Sequence, residues 1–225
     1  MTTRTLVVTG GHGILGKAVV EAALARGLNV ALIDHAAGEG APDGALEIGG
    51  VDLTDASAAG TAMAAVVERF GGIDALLNIA GGFVWQTTDD AHPAWDKMFA
   101  LNLTTALNAS LAALPHLKAS TEGRIVNVGA NGALKAAAGM GAYGASKSAV
   151  HRLTEALAEE LKGTPVTVNA VLPSILDTPQ NRADMPDADP AKWVQPSDLA
   201  EVMLFLASPG SRAITGALIP VTGRV

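Results

Sequence analysis

Tyr143 and Lys147 stand four residues apart in the run GMGAYGASKSAVHRL, residues 139–153. The small residues around them read as the start of a helix, and positions four apart share one helix face. A phenol and an ammonium are thereby brought side by side. At ~4–5 Å and an effective dielectric near 20, the cation favours phenolate by roughly 3–4 kcal/mol, enough to lower a phenol pKa of ~10 by about two. Such a phenol is a proton donor for chemistry at neutral pH. An ordinary helix can carry the same two residues, so the pair acquires meaning only beside a cofactor site.

The first third of the chain supplies the signal for one. TLVVT, Thr5 to Thr9, reads as a strand buried on both faces, and KAVVEAALARG has helical spacing that closes at Gly27. Between them lies GGHGILG, in which Gly11, Gly13 and Gly16 fit G-x-G-x-x-G with Gly10 ahead. Residues Gly10, Gly11, His12, Gly13, Ile14, Leu15 and Gly16 are therefore the expected cradle for a pyrophosphate. Glycines allow close backbone approach there, and the helix N-terminus offers free N–H groups. NVALID, residues 29–34, is a second strand ending on Asp34, about 20 residues past the glycines, where an acid accepts hydrogen bonds from ribose hydroxyls. A 2′-phosphate would meet like charge, and His35 rather than arginine follows, so NAD(H) is favoured over NADP(H).

The elements that must position these groups alternate in type. ALEIGGVDL gives a third strand ending near Asp52 and Leu53; Thr54 or Asp55 can cap the helix DASAAGTAMAAVVERFG. GIDALLNIAGG supplies a fourth strand, GRIVNV a fifth, VTVNAVLP a sixth and GALIPVTG the last. A long helical pattern runs from about Ala94 to Leu117, and PSDLAEVMLFLAS forms a capped amphipathic helix. Strands alternating with helices imply an α/β fold with a parallel, doubly wound sheet between helical layers. No repeat or linker divides residues 1–225, so one domain is expected. Residues 174–195, broken by Pro179, Pro186 and Pro190, form a loop long enough to be a substrate lid.

Composition narrows the partners. A net charge of −7 with scattered Lys and Arg argues against nucleic acid or an anionic membrane surface. No cysteine is present, which excludes disulfides and thiolate chemistry, and the five histidines lack metal-ligand spacing, so no metal is expected. The apolar runs fall short of the ~18–20 residues of a bilayer span, and the N-terminus lacks the layout of a signal peptide; a cytoplasmic protein is expected.

The glycine turn, Asp34, Asp52-Leu53, NIAG and YxxxK occur in the order and spacing of the short-chain dehydrogenase/reductase family, which the whole chain resembles. The resemblance implies a Rossmann-type sheet of about seven strands binding NAD(P)(H). It implies that Asp52 and Leu53 lie near the adenine, and that Ala80, Gly81 and Gly82 lie along the cofactor, with Asn78 beside them. Pro173, Ile175 and Thr178 match positions that touch the nicotinamide carboxamide. Lys147 would bind the nicotinamide ribose, and Asn102 would tie a water to that lysine in a proton relay. Assembly into a homodimer or homotetramer through the two long helices is implied as well.

One departure bears on the substrate. Most of the family has a serine thirteen residues before the tyrosine, and here that position is Ala130, followed by Asn131. Loss of one donor to a developing oxyanion costs about 3–4 kcal/mol. Asn131 is the nearest candidate to replace it. A subgroup without the serine, the quinonoid dihydropteridine reductases, resembles this chain in GGHGILG, IAGGF, GANGALKAAAGMGAYGASKSAVHRL and AVLPSILDTPQNRADMPDADPAKW. Asn102 follows the wider family rather than the subgroup. The subgroup implies NADH-dependent reduction of a conjugated C=N system, with Tyr143 as proton donor and Trp193 packing the lid or touching the ligand. An alcohol or ketone dehydrogenase with the serine replaced, and a non-catalytic NAD-binding sensor or scaffold, are the other two readings.

Overall fold

The computed structural model describes residues 3–38, 40–90 and 94–225. His92 and, within the expected 36–44 loop, Glu39 lie outside the described residues. Seven parallel strands form one sheet in the order β3-β2-β1-β4-β5-β6-β7. They are β1 (Thr5–Thr9), β2 (Asn29–Ile33), β3 (Leu46–Ile48), β4 (Ala75–Asn78), β5 (Arg124–Val128), β6 (Thr167–Pro173) and β7 (Leu218–Val221).

Side-chain parity along the strands builds two cores. Leu6 and Val8 of β1 point to one face with Val30, Leu32, Leu77, Val126 and Val171; there α1 (Ile14–Ala25) and α7 (Pro196–Leu206) cover them with Val19, Val20, Leu199 and Met203. Val7, Ala31, Ile33, Leu76, Ile125 and Val168 point the other way. They pack on α2 (Ala56–Phe70), α4 (Thr105–Ala119) and α5 (Gly141–Glu160) through Met63, Val66, Ala113, Leu117 and Leu157. A sheet buried on both sides explains the β-branched, unalternating strands. The result is the three-layer αβα sandwich expected.

The third strand is shorter than expected. It stops at Ile48 because Gly49 fits closely beside Ala36 and Ala37, and Gly50 takes φ +72, which turns the chain away from the ladder. Asp55, not Thr54, caps α2, its carboxylate accepting from Ser57 N. Part of residues 174–195 is helical: Thr178 caps α6 (Pro179–Asp184) by accepting from Asn181 N, with proline in its first turn.

The long helical pattern is a 26-residue stretch, Ala94–Ala119, long and apolar enough by length and composition to cross a membrane. Its apolar residues Met98, Ala109, Ala113 and Leu117 are buried in the cores. Between α3 (Ala94–Phe99) and α4 it passes through a π-turn, Ala100–Thr104, which contains Asn102. The hydroxyls of Thr104 and Thr105 donate to the carbonyls of Phe99 and Leu101, satisfying acceptors that the wider turn disturbs.

Candidate active site

Strand order reverses between β1 and β4, and a cleft of about 1060 Å³ opens at the carboxyl ends of those strands. Gly10, His12, Gly13, Ile14, Leu15, Gly16, Asp34, Asp52, Leu53, Ala80, Gly81 and Thr178 line it, all anticipated from the sequence. His35, Val51, Thr54, Ile79, Leu101, Thr105, Val128, Leu176, Pro179 and Gln180 line it too. No spacing signal marks these additions, apart from their adjacency to motif residues.

The glycine turn is built for close approach. Gly10 takes φ +67, and its N–H donates to Ile33 O at 2.8 Å. A Cβ on Gly16 would stand 2.2 Å from Gly10 O. Gly13 caps α1 with no side-chain hydrogen bond, and no acid lies in the first turn. The α1 N-terminus therefore faces the cleft with the backbone donors of its first turn and no acid within that turn, a match for a pyrophosphate. Asp34 Oδ2 accepts from His12 N at 3.0 Å and Oδ1 from Ala36 N at 3.0 Å, which fixes the carboxylate at the cleft wall. The His12 ring meets Glu47 at 2.9 Å, and Glu47 also accepts from Ala41 N at 3.0 Å. His12 thus touches the cleft, while its imidazole ties the turn to β3. Two hydrogen bonds from Thr54, hydroxyl first, hold Asp52 below the usual carboxylate range, and Asn108 Nδ2 donates to Leu53 O and Thr54 O. A dinucleotide fits the chemistry of this donor set.

Other anticipated residues stand around the cleft rather than on its wall. Gly11 packs against Leu32, and Gly82 is held by Asn102, whose Oδ1 accepts from Gly82 N at 3.0 Å. The Asn102 amide donates to Gly82 O at 3.1 Å and Ser146 Oγ at 3.0 Å. With its N–H groups so engaged, the side chain clamps the β4 loop to α5. Asn78 Nδ2 donates to Asn127 Oδ1 at 2.8 Å, bracing β4 against β5. Thr9 Oγ1 accepts from Ile79 N and Ala80 N, both at 3.1 Å, and so aims that segment at the cleft. Pro173 ends β6 inside the core, and Ile175 O accepts from Val194 N at 2.9 Å. Trp193 is buried at 5% exposure, its backbone beside Gly223, and it is not among the residues that line the cleft.

Tyr143 and Lys147 lie on one face of α5. Lys147 is buried, its Nζ donating to Val128 O at 2.7 Å, and a Cβ on Gly81 would stand 3.5 Å from that nitrogen. The lysine thus packs behind Val128 and Gly81, two residues of the cleft wall, and neither it nor Tyr143 is itself among the residues that line the cleft. Phe83 meets the Tyr143 ring edge-on, with centroids 5.0 Å apart. The expected acidification of the phenol does not appear. Burial pushes Tyr143 up to about 12 and Lys147 down to about 8, because desolvation disfavours both charged forms. The ammonium, moreover, points at a carbonyl.

Ala130 is buried, and Asn131 opens a short 3-10 turn to Ala133. The Ala130 N–H donates to His151 Nε2 at 3.3 Å, and Ser148 Oγ donates to Ala133 O at 2.9 Å. Residues 147, 148 and 151 of α5 thereby fix the backbone that follows β5. His151→Leu leaves the Ala130 N–H buried without an acceptor, an expected loss of about 1–3 kcal/mol, read as a lower urea midpoint with unchanged slope. Burial first, then Arg152 and Lys147, hold the His151 pKa below the usual 6.5. The unfolded chain therefore binds this proton more readily, and wild-type stability falls as pH drops below about 6.5. The leucine variant lacks that term.

Among the described residues, no group of three or more His, Asp or Glu side chains could hold a metal ion.

Sheet topology and the cleft at its switch point define a doubly wound, dinucleotide-binding type of fold. The family model described as short chain dehydrogenase matches residues 4–189, and the chain belongs to that family. It is 32% identical over 246 residues to 2-(S)-hydroxypropyl-CoM dehydrogenase 3 of Xanthobacter autotrophicus, covering 99% of this chain and 96% of that one. A solved short-chain dehydrogenase/reductase of Brucella melitensis superposes with TM-score 0.89 at 32% identity, covering 99% and 96% of the two chains. A 3-ketoacyl-(acyl-carrier-protein) reductase from the same organism, complexed with NADH, gives 0.87 at 27% identity, covering 99% and 98%.

Proposed function

We propose that this oxidoreductase uses NAD(H) to reduce a small cyclic substrate, a quinonoid dihydropterin being the first choice. The observation that carries the reading is Tyr143 and Lys147 on one face of α5, with the lysine packed against Val128 and Gly81 of the cleft wall. The glycine turn from Gly10 to Gly16 would hold the pyrophosphate, Asp34 the adenosine ribose, and Asp52 with Leu53 the adenine. Lys147 would hold the other ribose, with Ala80, Gly81 and Gly82 along the cofactor and Thr178 near its carboxamide. Bound and reduced, the nicotinamide supplies a hydride. Tyr143, protonated throughout the neutral range, gives its phenolic proton to the substrate nitrogen or oxygen as the adjoining carbon takes that hydride. Lys147 braces Val128 behind the phenol's helix, and Asn102, which holds Gly82 and Ser146, would support a water relay to that lysine. Residues 174–195 act as a lid over this single domain, since Leu176, Thr178, Pro179 and Gln180 already reach the cleft. Asp177, held near 2 by Arg182 and Gln195, rivets that segment. A cytoplasmic homodimer or homotetramer is the expected form.

A second reading is an alcohol or ketone dehydrogenase with Asn131 in place of the missing serine. It is favoured by relatives whose names refer to hydroxypropyl and ketoacyl compounds. Spectrophotometric NADH oxidation with quinonoid dihydropterin, against a panel of ketones, separates the two. Preference for an aliphatic ketone sinks the first. Asp34→Ala tests the coenzyme assignment: NADH affinity should fall about tenfold as two or more hydrogen bonds are lost, with NADPH gaining relative to it. An unchanged NADH/NADPH ratio removes that assignment.

A further inference from the structure

Beside Tyr143 the chain displays three aromatic rings that neither core absorbs. Phe83, Trp85 and Trp95 are 53%, 61% and 46% exposed, and all come from the segment that follows β4. Large apolar surface left together in water marks a binding site more often than an accident. These rings are also held in place. Trp85 lies flush on Gly139, where a Cβ would fall 2.0 Å from the indole Nε1, so only glycine permits the contact. Gln86 N donates to Gly139 O at 2.9 Å and pins the tryptophan's own strand of chain. Trp95 covers Gly141, with its ring 3.5 Å from the place a Cβ would take, and Phe83 sets its edge against Tyr143. The wall therefore continues from the proton donor outward. Its neighbourhood is acidic: the described residues of 83–97, 131–143 and 174–195 hold seven carboxylates against four Lys or Arg. Such a rim disfavours carboxylate, sulfonate or phosphate on the ligand.

We propose that Phe83 and Trp85 form a stacking wall for a flat, conjugated, uncharged or cationic ring whose reducible C=N or C=O edge meets Tyr143, and that anionic thioesters are poor substrates. The inference rests on the reductase reading above and names the class of ring. In the step itself the C=N or C=O π bond breaks, carbon gains a hydride from reduced nicotinamide, and the heteroatom gains the Tyr143 proton. Two electrons leave the nicotinamide and the ring takes both. Aromatic faces recognise a planar ring by stacking, which aliphatic ketones cannot share.

The test uses the full chain at saturating NADH with quinonoid dihydropterin, cyclohexanone and acetoacetyl-CoA. Trp85→Ala should lower kcat/KM for the dihydropterin about tenfold, an effect of stacking and burial together. For cyclohexanone it should change less than about threefold, and NADH affinity should stay the same. Phe83→Leu should act in the same direction. Calorimetric binding of fully oxidised pterin, which needs no turnover, gives a second readout: Trp85→Ala should weaken it by a similar factor. Trp85-dependent pterin binding in a chain that reduces nothing would keep the wall and remove the reductase reading. Equal losses on all substrates, a preference for the thioester, or pterin binding indifferent to Trp85 would overturn the wall. So would a Trp85→Ala variant whose one change is its oligomeric state, since the rings would then belong to an interface between copies.

Discussion

Tyr143→Phe should reduce turnover about 10²–10⁴-fold while NADH affinity stays within about twofold. Phenylalanine keeps the ring that Phe83 touches at 5.0 Å and removes the hydroxyl alone, so the packing of α5 on the β4 loop survives. The pH dependence is part of the same expectation. With the phenol at about 12, Tyr143 keeps its proton across the neutral range, and reduction should be insensitive to its titration there. Oxidation in the reverse direction needs the phenolate and should rise with pH as that form becomes populated. Lys147 adds a second limb: at about 8 it loses its charge on the alkaline side, and reduction should decline above that pH as the ammonium that would hold the nicotinamide ribose disappears. Steady-state NADH oxidation between pH 6 and 10, with fluorescence titration of NADH, measures both. A phenylalanine variant keeping more than a tenth of wild-type turnover would move the proton donor elsewhere.

That the phenol is raised rather than lowered shows where the sequence stops informing. Spacing puts Tyr143 and Lys147 on one face of α5, and so it proves. The sign of the shift, however, depends on burial and on where the ammonium points, and both are set by β5: Val128 O takes the lysine at 2.7 Å. The cradle was legible for the opposite reason. Gly10, Gly13 and Gly16 act through backbone adjacent in sequence, so the local motif contains most of the geometry. β3 is shorter than its sequence pattern because a strand pattern tolerates Gly49, whereas the close approach of Gly49 to Ala36 and Ala37 is a contact across a loop. The Asn102 clamp and the Trp85–Gly139 contact are tertiary as well, joining residues 20 apart in one case and in the other two loops that no periodicity links. The split of β1, with Leu6 and Val8 on one core and Val7 on the other, needs no tertiary information, since alternation is a property of the strand itself.

Gly16→Ala should abolish useful dinucleotide binding, lowering NADH affinity at least about tenfold, and should destabilise the fold by about 1–3 kcal/mol. The added methyl would stand 2.2 Å from Gly10 O and 2.8 Å from Gly11 Cα, both backbone atoms with no flexible end to yield. Gly10 cannot retreat, because its N–H is tied to Ile33 O at 2.8 Å and its α-carbon faces the Ala80 backbone. Relief therefore has to come from moving α1 away from the turn, which withdraws the helix N-terminus that would face the pyrophosphate. The same substitution elsewhere should behave differently, and the contrast makes the test specific. Gly60 lies within α2 with nothing within 4 Å of an added Cβ, so Gly60→Ala should stabilise by about 0.5–1 kcal/mol through helix propensity and leave NADH affinity alone. Gly13→Ala, with its methyl 3.3 Å from Gly10 O, should fall between the two. Thermal melts and NADH fluorescence titrations on the three variants measure both quantities. Wild-type affinity in Gly16→Ala would mean that the dinucleotide does not depend on this turn, and the cleft would have to be read anew.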